Sequence, residues 1–357
     1  MSLSFESFLE NSRWKPLKVH FQEFPSSLEK NISIAIQNEK REDLRRWLKS
    51  KYQIKKEDKN LQSELKKELF SGNVVAADGT CVECDLITGF QARIAIVAVN
   101  YKNNRTDYVT YISEPFINYS KKTIKEQLEY MRQKGAGKTG ITSSHIRAIM
   151  LFKERDFILN RGEKYKMVQG DILPYELRTG QGKLKGLNVC LDLGRKLLAE
   201  DNIVAIQTST TRQELRWVGT ALEPGEYVEL YDYFHVLNAF LEGDEYTRPA
   251  HFNEEDQKAF RNFNEDVKGK FSVGMYKVRN RAYVFYAPKK NLDTMINLVF
   301  ADSQYQTLRG IPLLLDYADI ICSRLFSASE FKKIVEMKLA KRNRLEFEIN
   351  EKNLRRR

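Results

Sequence analysis

The chain has 357 residues, is 42% hydrophobic and 30% charged, and carries a net charge of +11. That length and apolar content suit a soluble globular protein of one large domain or two ordinary ones. No apolar run approaches the roughly 18 residues that cross a bilayer, and the excess of base favours a polyanionic partner, nucleic acid ahead of a membrane surface.

Met1–Trp14 is acidic and polar with no long apolar core, so no signal peptide is expected and a cytoplasmic location is. Of the four cysteines, Cys81 and Cys84 form one CxxC pair, with no second pair and no neighbouring histidine. A structural zinc is not expected, and so few cysteines suit a reducing compartment.

Residues 1–72 have a mostly helical pattern. Ser26–Ser27 can cap a segment from Leu28. Glu39–Lys51 spaces Leu44, Trp47 and Leu48 helically, and Lys56–Phe70 puts Leu61, Leu65 and Leu69 on one stripe. Residues 73–118 pattern as a β-meander with runs at Asn73–Ala77, Arg93–Tyr101 and Tyr108–Ile117, the last two joined by the loop Lys102–Asp107. The first run leads into Asp78–Gly79–Thr80, which puts Asp78 at the end of, or inside, a buried strand, with a glycine that would free the backbone to turn. An Asp–Gly turn and a metal-ligating carboxylate are both open readings of Asp78, because a buried carboxylate needs a partner or a cation.

Lys121–Lys134 is a charged helical stretch. Gly135–Gly140 interrupts it and lacks the spacing and preceding strand of a phosphate-binding loop; a basic loop near nucleic acid is the alternative, with Lys138 as a contact. Thr142–Ser144 cap a helix reaching about Leu159, and Glu154 projects from the middle of its apolar face, among Met150, Leu151, Phe157 and Ile158. An ion-paired glutamate and a metal ligand aimed at the sheet are the two readings. Lys166–Pro174 patterns as a strand ending at Asp171, since Pro174 bars its continuation.

Arg178–Lys183 is a glycine-rich basic loop, 188–200 a helix and Asn202–Gln207 a strand. Thr208–Arg212, polar and ending in arginine, suits either phosphate contacts or a helix cap. Residues 228–268 mix aromatics and acids with His235 and His251, both expected to pack rather than to ligate, and a helical insertion is expected near 240–270. A hairpin follows at Phe271–Val278 and Arg281–Tyr286 turned at Arg279–Asn280, and Leu298–Phe300 can add a short strand. Gly310–Ile311–Pro312 opens a helix over Leu313–Leu325 with Asp316 and Asp319 one turn apart. The tail from Ser329 to Arg357 is charged and helical, either solvated or in contact with a partner.

Asp78, Glu154, Asp171 and Asp319 thus form one candidate set, two at strand ends and two on helices. Carboxylates suit hard ions such as Mg²⁺ or Mn²⁺, and two such ions about 4 Å apart can drive phosphodiester hydrolysis. A strand with a carboxylate, two antiparallel strands and then a helix is also the opening order of the ribonuclease H-like fold, an α/β architecture with a mixed sheet flanked by helices.

The order of motifs resembles the NurA nuclease family. Val75–Thr80 is similar to that family's first Asp–Gly–Ser motif. Asp171–Ile172–Leu173 falls at its second Asp–Gly–hydrophobic motif, behind a helix bearing Glu154. Gly310–Pro312 through Asp319 is similar to its Gly–Tyr–Pro … Ala–His segment. Three departures stand out. Glycine precedes Asp171 instead of following it, Asp319 falls where the family has histidine, and Gln207–Thr210 lacks a family lysine.

The resemblance implies a ribonuclease H-like nuclease domain at 73–327, between a helical extension at 1–72 and a charged helical tail at 328–357. It implies a metal-dependent DNA nuclease with Mn²⁺ or Mg²⁺, two ions, held by Asp78, Glu154, Asp171 and Asp319 with Glu114 as reserve ligand. It further implies a homodimer acting on DNA ends with a HerA-like hexameric ATPase, in repair or antiphage defence. Lys138, Arg178, Lys183, Arg212 and Arg309 are the expected DNA contacts. A non-catalytic DNA-binding adaptor of a translocase is the alternative.

Overall fold

The computed structural model describes residues 29–30, 41–86, 89–115, 120–121, 123–135, 143–180, 186–210, 212–243 and 252–344. Contacts divide the chain into two units, residues 1–47 and 48–357, and helix α1 (Arg41–Lys51) runs across the division. The second unit holds the sheet. In chain order it contains β1 (Ile54–Lys56), α2 (Lys59–Phe70), β2 (Val74–Leu86), β3 (Gly89–Val99), β4 (Thr106–Pro115), α3 (Ile124–Gly135), α4 (Ser143–Leu159), β5 (Tyr165–Gln169) and α5 (Tyr175–Arg178). Next come α6 (Leu187–Ala199), β6 (Ile203–Gln207), α7 (Gln213–Ala221), β7 (Glu226–Asp232), α8 (Tyr233–Glu242) and α9 (Glu254–Val267). β8 (Phe271–Lys277), β9 (Ala282–Pro288), α10 (Leu292–Ser303), α11 (Leu313–Leu325) and α12 (Ala328–Ala340) follow.

The nine strands form one mixed sheet in the order β1-β7-β8-β9-β6-β5-β2-β3-β4. β2, β3 and β4 are successive antiparallel neighbours, whereas β5 lies parallel to β2 and β6 parallel to β5. β9, β8, β7 and β1 extend the sheet in antiparallel steps beyond β6. Parallel neighbours need crossovers, and α4 and α6 supply them.

Strand alternation assigns the faces. Val74 and Ala76 pack in the main core with Leu65 and Leu69 of α2, with α10, and with Leu314, Leu315, Ala318 and Cys322 of α11. α4 therefore covers the opposite face, where Gly79 looks onto its Met150 and Glu154. Leucine spacing along α2 and the Asp58 side chain, which accepts from the Asn60 and Leu61 amides, form that helix as the pattern predicts.

Several expectations are corrected. Of the two placements for Asp78, the one inside a strand holds: β2 runs thirteen residues, and Gly79 continues the extended chain without a positive φ where a turn was expected. Leu298–Phe300 is not a strand but the buried middle of α10, because its neighbours also bury and complete a helical period. β1 and β7 were not expected as strands: one is three residues long, and the other buries only Glu226, Tyr227 and Val228. The described part of the tail is only partly solvated: Phe331 of α12 packs with Val82, Cys84 and Leu86 of β2, while Ile334 and Met337 stay exposed. Among the described residues no helix is long and apolar enough to cross a membrane.

Candidate active site

β5 supplies the geometry. Its last ladder pair with β2 is Val168 opposite Ala77, so β5 stops level with Asp78 while β2 runs on to Leu86. Beyond that level, the β5-side edge of β2 is open, and the carboxylates gather there.

Asp78 is buried on β2. Burial first, then the nearby charges of Glu154 and Asp319, push its carboxyl up to about 8, against the opposing Gly79 amide and Arg155. Glu154 comes from α4, also buried, and burial pushes it up to about 7 against the pull of Arg155 and the Gly79 amide. Gly79 is a glycine for space. A Cβ there would lie 3.0 Å from Glu154 Oε2 and 3.0 Å from Met150 Cγ, so only glycine lets the helix bring its carboxylate to the strand.

Asp319 is half-buried on α11, near enough to raise Asp78. Its turn-mate Asp316 is occupied elsewhere, accepting from Arg309 Nη1 at 2.9 Å and Gln306 Nε2 at 3.0 Å. Cys322, one turn after Asp319, is buried beneath the cluster. Burial and the charges of Asp78, Glu154 and Asp319 raise its thiol well above the usual range.

Asp171 follows β5 after Gly170, and its carboxylate turns away from these three. Oδ2 pairs with Arg178, and Oδ1 accepts from Tyr233 OH at 2.6 Å and the Leu173 amide at 3.1 Å. Its main chain still meets the cluster. Arg155, fully buried, pairs through Nη1 with Glu154 Oε1 and donates through Nη2 to the carbonyls of Gln169 (2.6 Å) and Asp171 (2.8 Å).

The structure thus brings together Asp78, Glu154 and Asp319, with Asp171 on the adjoining strand end. Among the described residues, no three His, Cys, Asp or Glu side chains converge tightly enough to hold an ion as they stand. The three carboxylates interact electrostatically without meeting at one point, and the arginines hold two of the four predicted ligands. Donor chemistry fits a hard divalent cation, because buried carboxylates that repel one another are what such a charge relieves.

The remaining expected residues fall apart from this group. Phe90 opposes Glu114, whereas Val97, level with Asp78, opposes Asp107; Glu114 therefore sits seven residues along β4, roughly 23 Å away at ~3.3 Å per residue. It is not placed to serve as reserve ligand. Arg178 is buried and donates to Asp171 and, at 2.7 Å, to the Leu173 carbonyl, so it holds a carboxylate and does not present itself to DNA. Arg212 is exposed, pairing with Glu214 (2.5 Å) and Tyr231 OH (2.8 Å). Arg309 is ion-paired with Asp316. Lys138 and Lys183 lie outside the described residues.

Sequence reading missed Arg155, Tyr233 and the crowding at Gly79. Arg155 had a signal: it lies four residues after Leu151 and three before Ile158, on the same buried side as Glu154. Tyr233 had none, since it reaches Asp171 across 62 residues.

No protein-family model and no curated protein matches the sequence. Among solved structures, the NurA nuclease from Sulfolobus solfataricus aligns over 92% of this chain and 98% of its own at 12% identity, with a TM-score of 0.51. A NurA structure with manganese covers 90% of this chain and 98% of its own at 10% identity and TM-score 0.46. Endonuclease V from Bacillus subtilis covers 75% and 90% at 9% identity and TM-score 0.33. The first of these shows the fold class, a mixed α/β sheet flanked by helices. Within that class the chain has a NurA-like nuclease fold.

Proposed function

We propose that this protein is a divalent-metal-dependent DNA nuclease of ribonuclease H-like architecture. One observation carries the reading: three separate elements, β2, α4 and α11, bring Asp78, Glu154 and Asp319 near enough that the charges of the last two raise the buried Asp78 carboxyl. Strand order supports the architecture, with three antiparallel strands followed by two parallel to the first. The net charge of +11 supports a nucleic-acid substrate.

Asp78, Asp319 and Glu154 would hold Mn²⁺ or Mg²⁺, with Asp171 completing the set once its carboxylate leaves Arg178. A bound divalent ion supplies Lewis acidity toward a phosphodiester and acidifies a coordinated water. Arg155 neutralises Glu154 until then, and the Gly79 amide orients both Asp78 and Glu154. DNA ends are the proposed substrate, processed by a cytoplasmic homodimer working with a HerA-like hexameric ATPase in repair or antiphage defence. The domain limits proposed are 1–72, 73–327 and 328–357.

Linear double- and single-stranded DNA incubated with Mn²⁺, with and without the translocase, tests this. Wild type cuts, and Asp78→Ala and Asp171→Ala do not. Cleavage that survives both substitutions overturns the reading. A specific observation favours a second reading, a DNA-binding adaptor without catalysis: Glu154 and Asp171 are each already neutralised by an internal arginine. The same assay separates the two, since an adaptor binds DNA and cuts none.

A further inference from the structure

Arg155 has a place in the site that packing does not explain. Its guanidinium is wholly buried and divided between two segments. Nη1 faces Glu154 on its own helix; Nη2 reaches the Gln169 and Asp171 carbonyls at the end of β5. Its third donor, Nε, is buried with no hydrogen-bond partner. An orphaned buried donor is costly, and a buried ion pair adds little stability over apolar packing of the same volume. The fork is satisfied where it meets the two carboxylate-bearing segments and unsatisfied elsewhere.

Gly170 completes the device. Two carbonyls, one residue either side of it, converge on a single nitrogen because Gly170 takes a φ of +88°, a region open to glycine at little cost. A Cβ there would lie 3.7 Å from Arg155 Nη2. Glycine before Asp171 is thus the backbone corner on which Arg155 docks.

We propose that Arg155, seated on the Gly170 corner, is the positioning residue that sets Glu154 and Asp171 relative to Asp78. It touches no substrate and acts through those carboxylates. A planar two-pronged donor bridges helix and strand end, whereas lysine, a single point donor, serves only one side. The metal half of the following test rests on the nuclease reading; the exchange half does not.

The experiment compares wild type with Arg155→Lys and Gly170→Ala. It measures Mn²⁺ binding by titration calorimetry without DNA, and amide hydrogen exchange without metal. Arg155→Lys is expected to raise the Kd for Mn²⁺ about 10–100-fold. The Gly79 amide, which serves Asp78 and Glu154, and the Leu173 amide, which donates to Asp171 Oδ1, should exchange faster while β8 and β9 keep their protection. Gly170→Ala shifts both readouts the same way by less, and keeps the proposal testable if Arg155→Lys does not fold. An unchanged Kd with unchanged exchange at Gly79 and Leu173 overturns the proposal. So does a lower melting temperature with exchange raised everywhere and Kd unchanged, the signature of a merely structural arginine. If wild type binds no Mn²⁺, the nuclease reading falls, and the exchange pattern alone decides for or against positioning.

Discussion

Asp78 and Glu154 are carboxylates that prefer their protons. Burial, then Glu154 and Asp319, raises Asp78 to about 8, and burial raises Glu154 to about 7. Below those values a cation must displace protons to bind. Mn²⁺ affinity should therefore climb between about pH 6 and about pH 9, with protons released on binding. Calorimetry in two buffers of different ionisation enthalpy checks this, and affinity independent of pH contradicts it. The native state also binds more protons than the unfolded one in this window, so the metal-free protein should lose stability as pH rises through it. Gly79→Ala forces a Cβ to 3.0 Å from both Glu154 Oε2 and Met150 Cγ. Overpacking of this kind costs about 1–3 kcal/mol. Thermal unfolding should show that loss, and unchanged Mn²⁺ binding in the variant would mean the helix has room to retreat.

At the scale of elements, the position of α11 decides where Asp319 sits. Its N-cap Pro312 offers no side-chain acceptor, and Asp302, from the end of α10, takes over. Asp302 Oδ2 accepts from the Leu314 amide at 2.8 Å, and Oδ1 accepts from Tyr101 OH. The acid is fully buried, and burial pushes it up from 3.8 to about 6 despite both hydrogen bonds. A raised folded-state value means stability is lost as pH rises from the unfolded value through the folded one. Asp302→Asn keeps an acceptor for Leu314 and offers Tyr101 a donor without the charge. It should be more stable than wild type by about 1–3 kcal/mol at neutral pH, with the difference vanishing near pH 4. Unfolding of both proteins across that range measures it, and a variant less stable at neutral pH refutes it. The other end of α11 leads to α12, held by Arg93, which donates to the Ser327 carbonyl at 2.7 Å and stacks 5.1 Å from the Phe331 ring centroid.

For the whole molecule, charge sets the terms of the proposed DNA recognition. Fifty-nine basic residues against 48 acidic ones favour a polyanion, yet Arg155 and Arg178 are spent inside the protein on carboxylates. In the proposed complex, contacts with DNA would come from exposed base, and phosphate contacts of that kind are sequence-independent. DNA affinity should fall by about tenfold or more as salt rises from about 50 to about 200 mM, with little difference between sequences. Fluorescence anisotropy against salt tests it, and a flat salt dependence would remove DNA as the partner.

Periodicity in the sequence was enough for the elements that surround the site. Leu61, Leu65 and Leu69 on one stripe define α2, Arg279–Asn280 turns the β8–β9 hairpin, and Glu154 among apolar neighbours marks the buried side of α4. It also names Asp78, Glu154 and Asp171, because a carboxylate at the end of an apolar run or on an apolar face is locally anomalous, whereas Asp319 is named from its place one helical turn after Asp316 and from the family resemblance. β1 and β7 escaped it, since a three-residue edge strand and a polar one are specified by their pairing partners and not by their own composition. The passage of β2 straight through Gly79, the withdrawal of Asp171 onto Arg178 and Tyr233, and the grip of Arg155 on Glu154 and the Gly170 corner belong to tertiary structure alone. Residue types and spacings are local and fix which side chains are out of place. Which of them meet, and which cation neutralises them, depends on contacts between segments far apart in the chain.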